Sequence, residues 1–103
     1  MLVQAEVEIV PALRKNRQAI AMARKAAQAG ARESKRIVHV RSGDLKRSIK
    51  VQRTETGWIW GSDLYYAPYH EAEFPFIRPA IPVAAAAMQS ISPARRRSSS
   101  RSV

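Results

Sequence analysis

Two periods of apolar spacing divide the chain. The first, of about 3.6 residues, covers Leu2–Ala29, which is rich in alanine, arginine, lysine and glutamine, all good helix formers. Pro11 fits the first turn of such a helix, or a kink that separates the helix from Val3–Val10. Gly30 is a weak point, but Ala31–Lys35 continues the pattern, so we expect one long amphipathic helix. The apolar residues of its buried face are Leu13, Ile20, Ala23 and Ala27.

The second period, of two residues, follows a short helix signal. Ser42 is a good N-cap and Asp44 favours a first helical turn, so a short helix is expected there. Ile49–Thr54 then alternates apolar and polar residues, Glu55–Gly57 has the composition of a turn, and Trp58–Trp60 resumes the alternation. This pattern predicts a β-hairpin with a short loop.

The stretch Tyr65–Ala80 holds most of the aromatic residues. All three tyrosines, both phenylalanines and three of the six prolines lie there. Because aromatic side chains contribute the most burial and interface energy per residue, we expect this stretch to be the packing centre, a contact surface, or both. Tyr65–Glu71 is predicted to cross the sheet as a short helical turn, which we favour, or as a third strand, and Phe74–Phe76 is predicted as extended. Arg78 and Pro79 are predicted to open a last helix.

Length and charge indicate one domain with a basic tail. The 103 residues suffice for a single domain with a modest core, predicted over residues 1–91. The net charge of +10 divides into +8 for residues 1–50, −2 for residues 51–91 and +4 for the last twelve residues. This distribution indicates a polyanionic neighbour, nucleic acid or an acidic protein surface, although solvation alone also explains a basic helix face.

The tail over residues 92–103 has a low-complexity composition that predicts no fold of its own. Arginine pairs with carboxylates and phosphates in two-point geometry. The expected contact of the tail is therefore with acidic side chains of a neighbouring protein, which we favour, or with DNA phosphates without base reading. Its cationic residues are Arg95, Arg96, Arg97 and Arg101.

Catalytic chemistry has little support in the sequence. The chain has no cysteine, Gly-rich phosphate loop, Gly-x-Ser-x-Gly elbow or His-Glu-x-x-His motif. The adjacent His70 and Glu71 fit a buried or interface polar pair better than a catalytic dyad, and His39 has no partner at metal-ligand spacing. We expect no enzyme activity, cofactor or metal. Without a long apolar run or a signal-peptide pattern, we also expect a soluble intracellular product.

Three motifs follow one another along the chain. Ser42–Ile49 reads Ser-Gly-Asp-Leu-Lys-Arg-Ser-Ile, Tyr66–Glu71 reads Tyr-Ala-Pro-Tyr-His-Glu, and Pro75–Ala80 reads Pro-Phe-Ile-Arg-Pro-Ala. With the basic helix and the hairpin, they resemble the neck family of long-tailed phages and prophages, the head–tail joining or tail-completion proteins named for the tenth gene product of a lambdoid phage. Members of that family have Thr/Ser-Gly-x-Leu-Arg/Lys-x-Ser-Ile, Tyr-Ala-x-Tyr-x-Glu-Phe-Gly-Thr and Pro-Phe-(Ile/Leu)-Arg-Pro-Ala. The resemblance spans about residues 5–90. It departs at Ala72–Phe74, which joins the third motif directly and omits the family's Gly-Thr and variable loop.

The resemblance implies an α+β subunit with a long N-terminal helix, a small antiparallel sheet and a C-terminal helix. Such subunits are made in the host cytoplasm and form a hexameric or dodecameric ring in the virion neck, around the channel for genomic DNA. Implied partners are further copies, head-completion or connector proteins, the tail terminator and, without sequence preference, the DNA. Since aromatics and arginine are the usual interface anchors, the candidate contact residues are Tyr65, Tyr66, Tyr69, Glu71, Phe74 and Arg78. The candidate core residues of the motifs are Leu45, Ile49, Trp58, Phe76 and Pro79.

A second function class is a small basic nucleic-acid-binding protein that stacks bases on Trp58, Trp60 and the tyrosines. It would account for the net charge, but it predicts cations beside the aromatics. Residues 51–91 contain only Arg53 and Arg78 as cations. The sequence therefore places the charges away from the aromatics and favours the neck subunit.

Overall fold

The computed structural model describes residues 1–38 and 43–88, and these form the predicted α+β fold. Two 3-10 turns, Pro11–Leu13 and Arg78–Ala80, precede the long helix and a final helical stretch over residues 81–88. The predicted tail, with its four arginines, and the predicted N-cap Ser42 lie outside the described residues. In chain order the other elements are β1 (Val3–Glu8), α1 (Arg17–Ile37), α2 (Gly43–Ser48), β2 (Lys50–Arg53), β3 (Gly57–Ser62) and α3 (Ala67–Glu73).

The predicted start of the long helix is wrong, because the chain opens with a strand. In β1 the apolar residues Val3, Ala5 and Val7 alternate with polar ones, which is the period of a strand with one buried face. This strand pairs antiparallel with β3, and Ala5 lies opposite Trp60. Pairing with a strand far along the chain therefore decides the structure of this segment.

The predicted hairpin is confirmed. Strands β2 and β3 pair antiparallel, and β3 is central in a sheet of order β1-β3-β2. In the turn, the Thr54 N–H donates to the Gly57 carbonyl oxygen at 2.8 Å, and the Gly57 N–H donates to Thr54 Oγ1 at 3.0 Å. Alternation along β3 puts Trp58 and Trp60 on the same face of the sheet, the face that α1 covers.

Helix α1 packs closely on the sheet because its buried face carries small residues. The side chain of Asn16 caps the helix by accepting the Ala19 N–H at 2.9 Å. The helix runs through Gly30 without interruption, and a Cβ at this position would lie 2.6 Å from the Trp60 ring. Trp60 is 1% exposed, and its Nε1–H donates to Ser34 Oγ at 3.0 Å. The glycine is thus a close-packing position rather than a weak point.

The remaining helices follow the predictions in outline. Helix α2 occupies the first motif and buries Leu45. The predicted turn after the hairpin is helix α3, with a proline in its first turn, and the last helix begins through the turn that contains Pro79. Phe76 lies with Leu45 and Trp60 in one core cluster. No helix among residues 1–38 and 43–88 combines the length and the apolar character that crossing a membrane requires.

Candidate functional site

Helix α3 and the residues on either side of it carry large aromatic side chains on the protein surface. Tyr65 is 79% exposed, Tyr69 is 75% exposed and Phe74 is 57% exposed. We call these three side chains the α3 aromatics. Exposed aromatic side chains grouped within ten residues of sequence are typical of contact surfaces, where they bury large apolar areas at a small entropy cost. Three of the six predicted contact residues therefore lie where a partner could reach them.

The carboxylate of Glu71 holds the turn after α3 in place. The backbone N–H groups of Phe76 and Ile77 donate to Glu71 Oε1, each at 2.9 Å, and the N–H of Arg78 donates to Oε2 at 3.1 Å. These donors precede and open the last helix, where N–H groups have no partner within the helix. A carboxylate at this position makes charge-assisted hydrogen bonds and complements the helix dipole. Glu71 is therefore a turn-forming residue of this chain.

The other two predicted contact residues differ in accessibility. The guanidinium of Arg78 is mostly exposed, and its Nε lies 3.6 Å from Glu71 Oε2. Tyr66 is partly buried against the core cluster, and its ring meets that of Tyr65 edge-on at 5.3 Å between centroids. Arg78 is thus available to a partner, whereas Tyr66 mainly supports the neighbouring Tyr65.

Of the predicted core residues, Leu45, Ile49 and Phe76 are buried in the core cluster. Trp58 is only partly buried and packs against this cluster. The prediction is wrong for Pro79, which is exposed. Pro79 lies in the 3-10 turn that opens the last helix. Its fixed φ sets the direction of the backbone there, so Pro79 acts through its ring geometry rather than through burial.

His70 shows an environment that the sequence does not reveal. Its ring lies 5.8 Å from the Phe74 ring and 5.3 Å from the Phe76 ring, centroid to centroid. Both ring nitrogens are buried, and neither has a hydrogen-bond partner among the described residues. His70 therefore makes no hydrogen bond to Glu71, whose oxygens face the backbone N–H groups instead. Within residues 1–38 and 43–88, no group of three or more His, Cys, Asp or Glu side chains could hold a metal ion.

The expectation that cations lie away from the aromatics is wrong for Trp58. The guanidinium carbon of Arg24, from α1, lies 5.6 Å from the centroid of the indole, and that of Arg53, from β2, lies 5.7 Å from it. Helix packing brings Arg24 to a residue far away in sequence, which a count of charges by segment cannot reveal. Guanidinium groups at this distance are attracted to the face of an indole. Trp60 is buried under α1, and Trp58 is partly buried beside these two cations, so the two tryptophans do not form an exposed stacking pair.

Comparison of the chain with protein-family models, with curated proteins and with solved structures finds no match.

Proposed function

We propose that this chain is a structural subunit of the neck of a tailed phage or prophage, a component of the ring that joins the DNA-filled head to the tail. The observation that carries the proposal is the set of three motifs in the order of the neck family, spread over the described fold. In that fold the first motif forms α2, the second forms α3, and the third forms the turn to the last helix. The proposed function needs shape and association and uses no catalytic residue.

Contacts within and after α3 support an assembly role. Glu71 ties the second motif to the third through three backbone hydrogen bonds, so these two motifs form one structural unit. This unit presents the α3 aromatics and Arg78 at the surface. Aromatic and arginine side chains on a rigid support are the usual anchors of protein interfaces. A ring repeats one heterologous contact until it closes, so a single surface of this kind can serve every subunit.

The proposal is tested in the phage or prophage that carries the gene. Deletion of the gene should give free, DNA-filled heads and free tails in electron micrographs, and expression of the intact chain in trans should restore joined particles. A Tyr69→Ala/Phe74→Ala variant should fail to restore joined particles, because it removes two of the three α3 aromatics from the proposed contact surface. Both side chains are exposed, so the variant should still fold. The matched control is Ile81→Ala/Val83→Ala, which removes exposed apolar side chains from the last helix. Joined, infectious particles after deletion of the gene would refute the proposal.

The second function class, a base-stacking nucleic-acid-binding protein, finds less support. Its two sheet tryptophans face α1, where Trp60 is buried and two guanidinium groups flank Trp58. Binding to an oligonucleotide that depends on its bases, by a monomer in size-exclusion chromatography, would favour this class over the neck subunit.

A further inference from the structure

A shallow groove runs between helix α1 and the edge strand β2. One part, of about 630 Å³, lies beside Trp58, and a second part, of about 320 Å³, lies beside Val51; both include Gln28, so they adjoin. We call this the α1–β2 groove. The cationic side chains that line it and have no acidic partner are Arg17, Arg24, Lys25, Arg32, Lys35 and Arg53.

These six cations are not neutralised by the protein itself. Among residues 1–38 and 43–88, none of them has a carboxylate oxygen within 4.0 Å, whereas Arg14, Arg36, Arg47 and Arg78 each lie beside a glutamate or aspartate. Lys50 also lines the groove, but it pairs with Asp63 at 2.5 Å. The groove therefore concentrates unpaired positive charge, which attracts a polyanion.

The row of cations is extended. From Arg17 to Lys35 the helix advances by about 27 Å, at about 1.5 Å per residue. Arg53 adds a cation from the strand side of the groove. A linear row of this length matches a continuous chain of phosphates better than a single small anion, which would engage two or three of the six groups.

A second copy of the chain does not supply the complementary surface. Every acidic residue of the sequence lies among the described residues. Those without an ion pair in the described structure are Glu6, Glu55 and Glu73, which belong to β1, the hairpin turn and α3. Three separate acids on three elements cannot match six cations in a row. The partner must therefore be a different polyanion.

The groove also has few exposed apolar side chains of the kind that anchor a protein-binding surface. The large apolar side chains that are exposed in the described residues, among them the α3 aromatics, do not line it. Protein interfaces depend on apolar and aromatic anchors that become fully buried. Non-specific binding to nucleic acid depends instead on cations that neutralise phosphates. Two guanidinium groups already lie near the Trp58 ring, so a base would have to compete with them for stacking there.

We propose that the α1–β2 groove binds the sugar–phosphate backbone of nucleic acid without reading its base sequence. The inference deepens the proposed function, on which it rests for the identity of the nucleic acid as the packaged genome. The binding itself is a property of the single chain, so it can be measured without particles.

The test uses the full chain and short fluorescein-labelled DNA duplexes of two unrelated sequences, with fluorescence anisotropy over a salt series. The groove variant is Lys25→Gln/Arg32→Gln. The control is Lys15→Gln/Lys46→Gln, which removes the same charge from two cations that lie outside the groove and have no ion pair in the described structure. The intact chain should bind both duplexes equally. The groove variant should bind more weakly, and the slope of log affinity against log salt should decrease by about 1.8, because about 0.9 is lost for each phosphate contact.

Three outcomes would overturn the proposal. Equal affinity and slope for the groove variant and the intact chain would show that DNA does not use the groove. An equal loss in the control variant would show that only net charge matters. Tighter, groove-dependent binding of labelled poly-glutamate than of DNA at the same salt concentration would assign the groove to an acidic protein. Each outcome is independent of particle joining, so it is distinguishable from failure of the proposed neck function.

Discussion

Replacement of Glu71 separates a turn-forming role from a role in subunit contact. The Glu71 side chain is only 14% exposed, and its carboxylate accepts three backbone N–H groups from the segment that follows α3. Glu71→Ala removes all three acceptor contacts at once. This substitution should therefore destabilise the isolated chain before any partner is involved.

The expected loss follows from the environment of the three donors. The N–H groups of Phe76 and Ile77 are partly buried, so water compensates poorly for their lost acceptor. Each lost hydrogen bond should therefore cost about 1–1.5 kcal/mol of stability. The N–H of Arg78 is exposed, and water replaces its acceptor at little cost. Glu71→Ala should therefore lower the free energy of unfolding by about 2–3 kcal/mol, or Tm by about 10–20 °C for a domain of this size. Glu71→Gln keeps an acceptor oxygen but loses the charge, so we expect about half of that effect.

Urea denaturation followed by tryptophan fluorescence measures this loss, because Trp60 is buried in the same core cluster as Phe76. The matched control is Glu73→Ala, since Glu73 is exposed and lies one helical turn or less away on α3. Arg78→Ala removes only an exposed ion pair at 3.6 Å and should cost less than about 1 kcal/mol. A Glu71→Ala chain as stable as the Glu73→Ala chain would refute the turn-forming role and return Glu71 to the contact surface.

Two further predictions concern packing and pH. Gly30→Ala should destabilise the chain despite the better helix propensity of alanine, because overpacking against the Trp60 ring costs about 1–3 kcal/mol and propensity returns at most about 1 kcal/mol. In a Trp60→Leu background the same substitution should stabilise the chain in urea denaturation, and continued destabilisation there would contradict the contact. A hydrogen bond from Lys50 lowers the pKa of Asp63 below its usual value. The resulting stabilisation should be present above the pKa of Asp63 in the unfolded chain and should be lost as the pH falls through its pKa in the folded chain. NMR titration should show that the pKa of Asp63 rises in Lys50→Gln. An unchanged value would disprove the pairing.

The sequence correctly predicted the elements that are determined by their own residue spacing and by the turn or capping residues next to them. The hairpin followed from alternation on both sides of Glu55–Gly57, and the last helix followed from Arg78 and Pro79. Strand β1 was missed because its neighbour in the sheet is β3, some fifty residues later, and because the alanine-rich sequence around it favours helix. The function of Gly30 was missed for the same reason, since a glycine in a helix shows no signal for the indole that packs against it.

The sequence predicted which stretch forms the candidate site, but it did not predict which of its side chains are exposed, which are buried and which hold the backbone. Aromatic content alone identified Tyr65–Ala80, and the structure exposes Tyr65, Tyr69 and Phe74 while it buries Phe76. The motif that carries Glu71 gives no sign that its carboxylate bonds to backbone N–H groups five to seven residues later. Counting the net charge of each sequence segment also did not reveal the α1–β2 groove. Its cations come from a helix and from a strand that meet only in the folded chain.

The two proposed surfaces lie toward opposite edges of the sheet, and this arrangement has a physical consequence for a ring. Helix α3 contacts β1, whereas the α1–β2 groove is lined by β2, and β3 separates these two strands. A subunit can therefore contact a neighbour through the α3 aromatics while its groove remains open to DNA. In the proposed ring, weak binding in each groove would be sufficient, because several grooves would face one duplex and multivalency raises the total affinity. Sequence-independent phosphate contacts also let DNA slide, whereas base-specific contacts would arrest it at preferred positions. The proposed neck ring, which would hold a genome and later let it pass, would thus be served better by many weak cationic grooves than by one tight site.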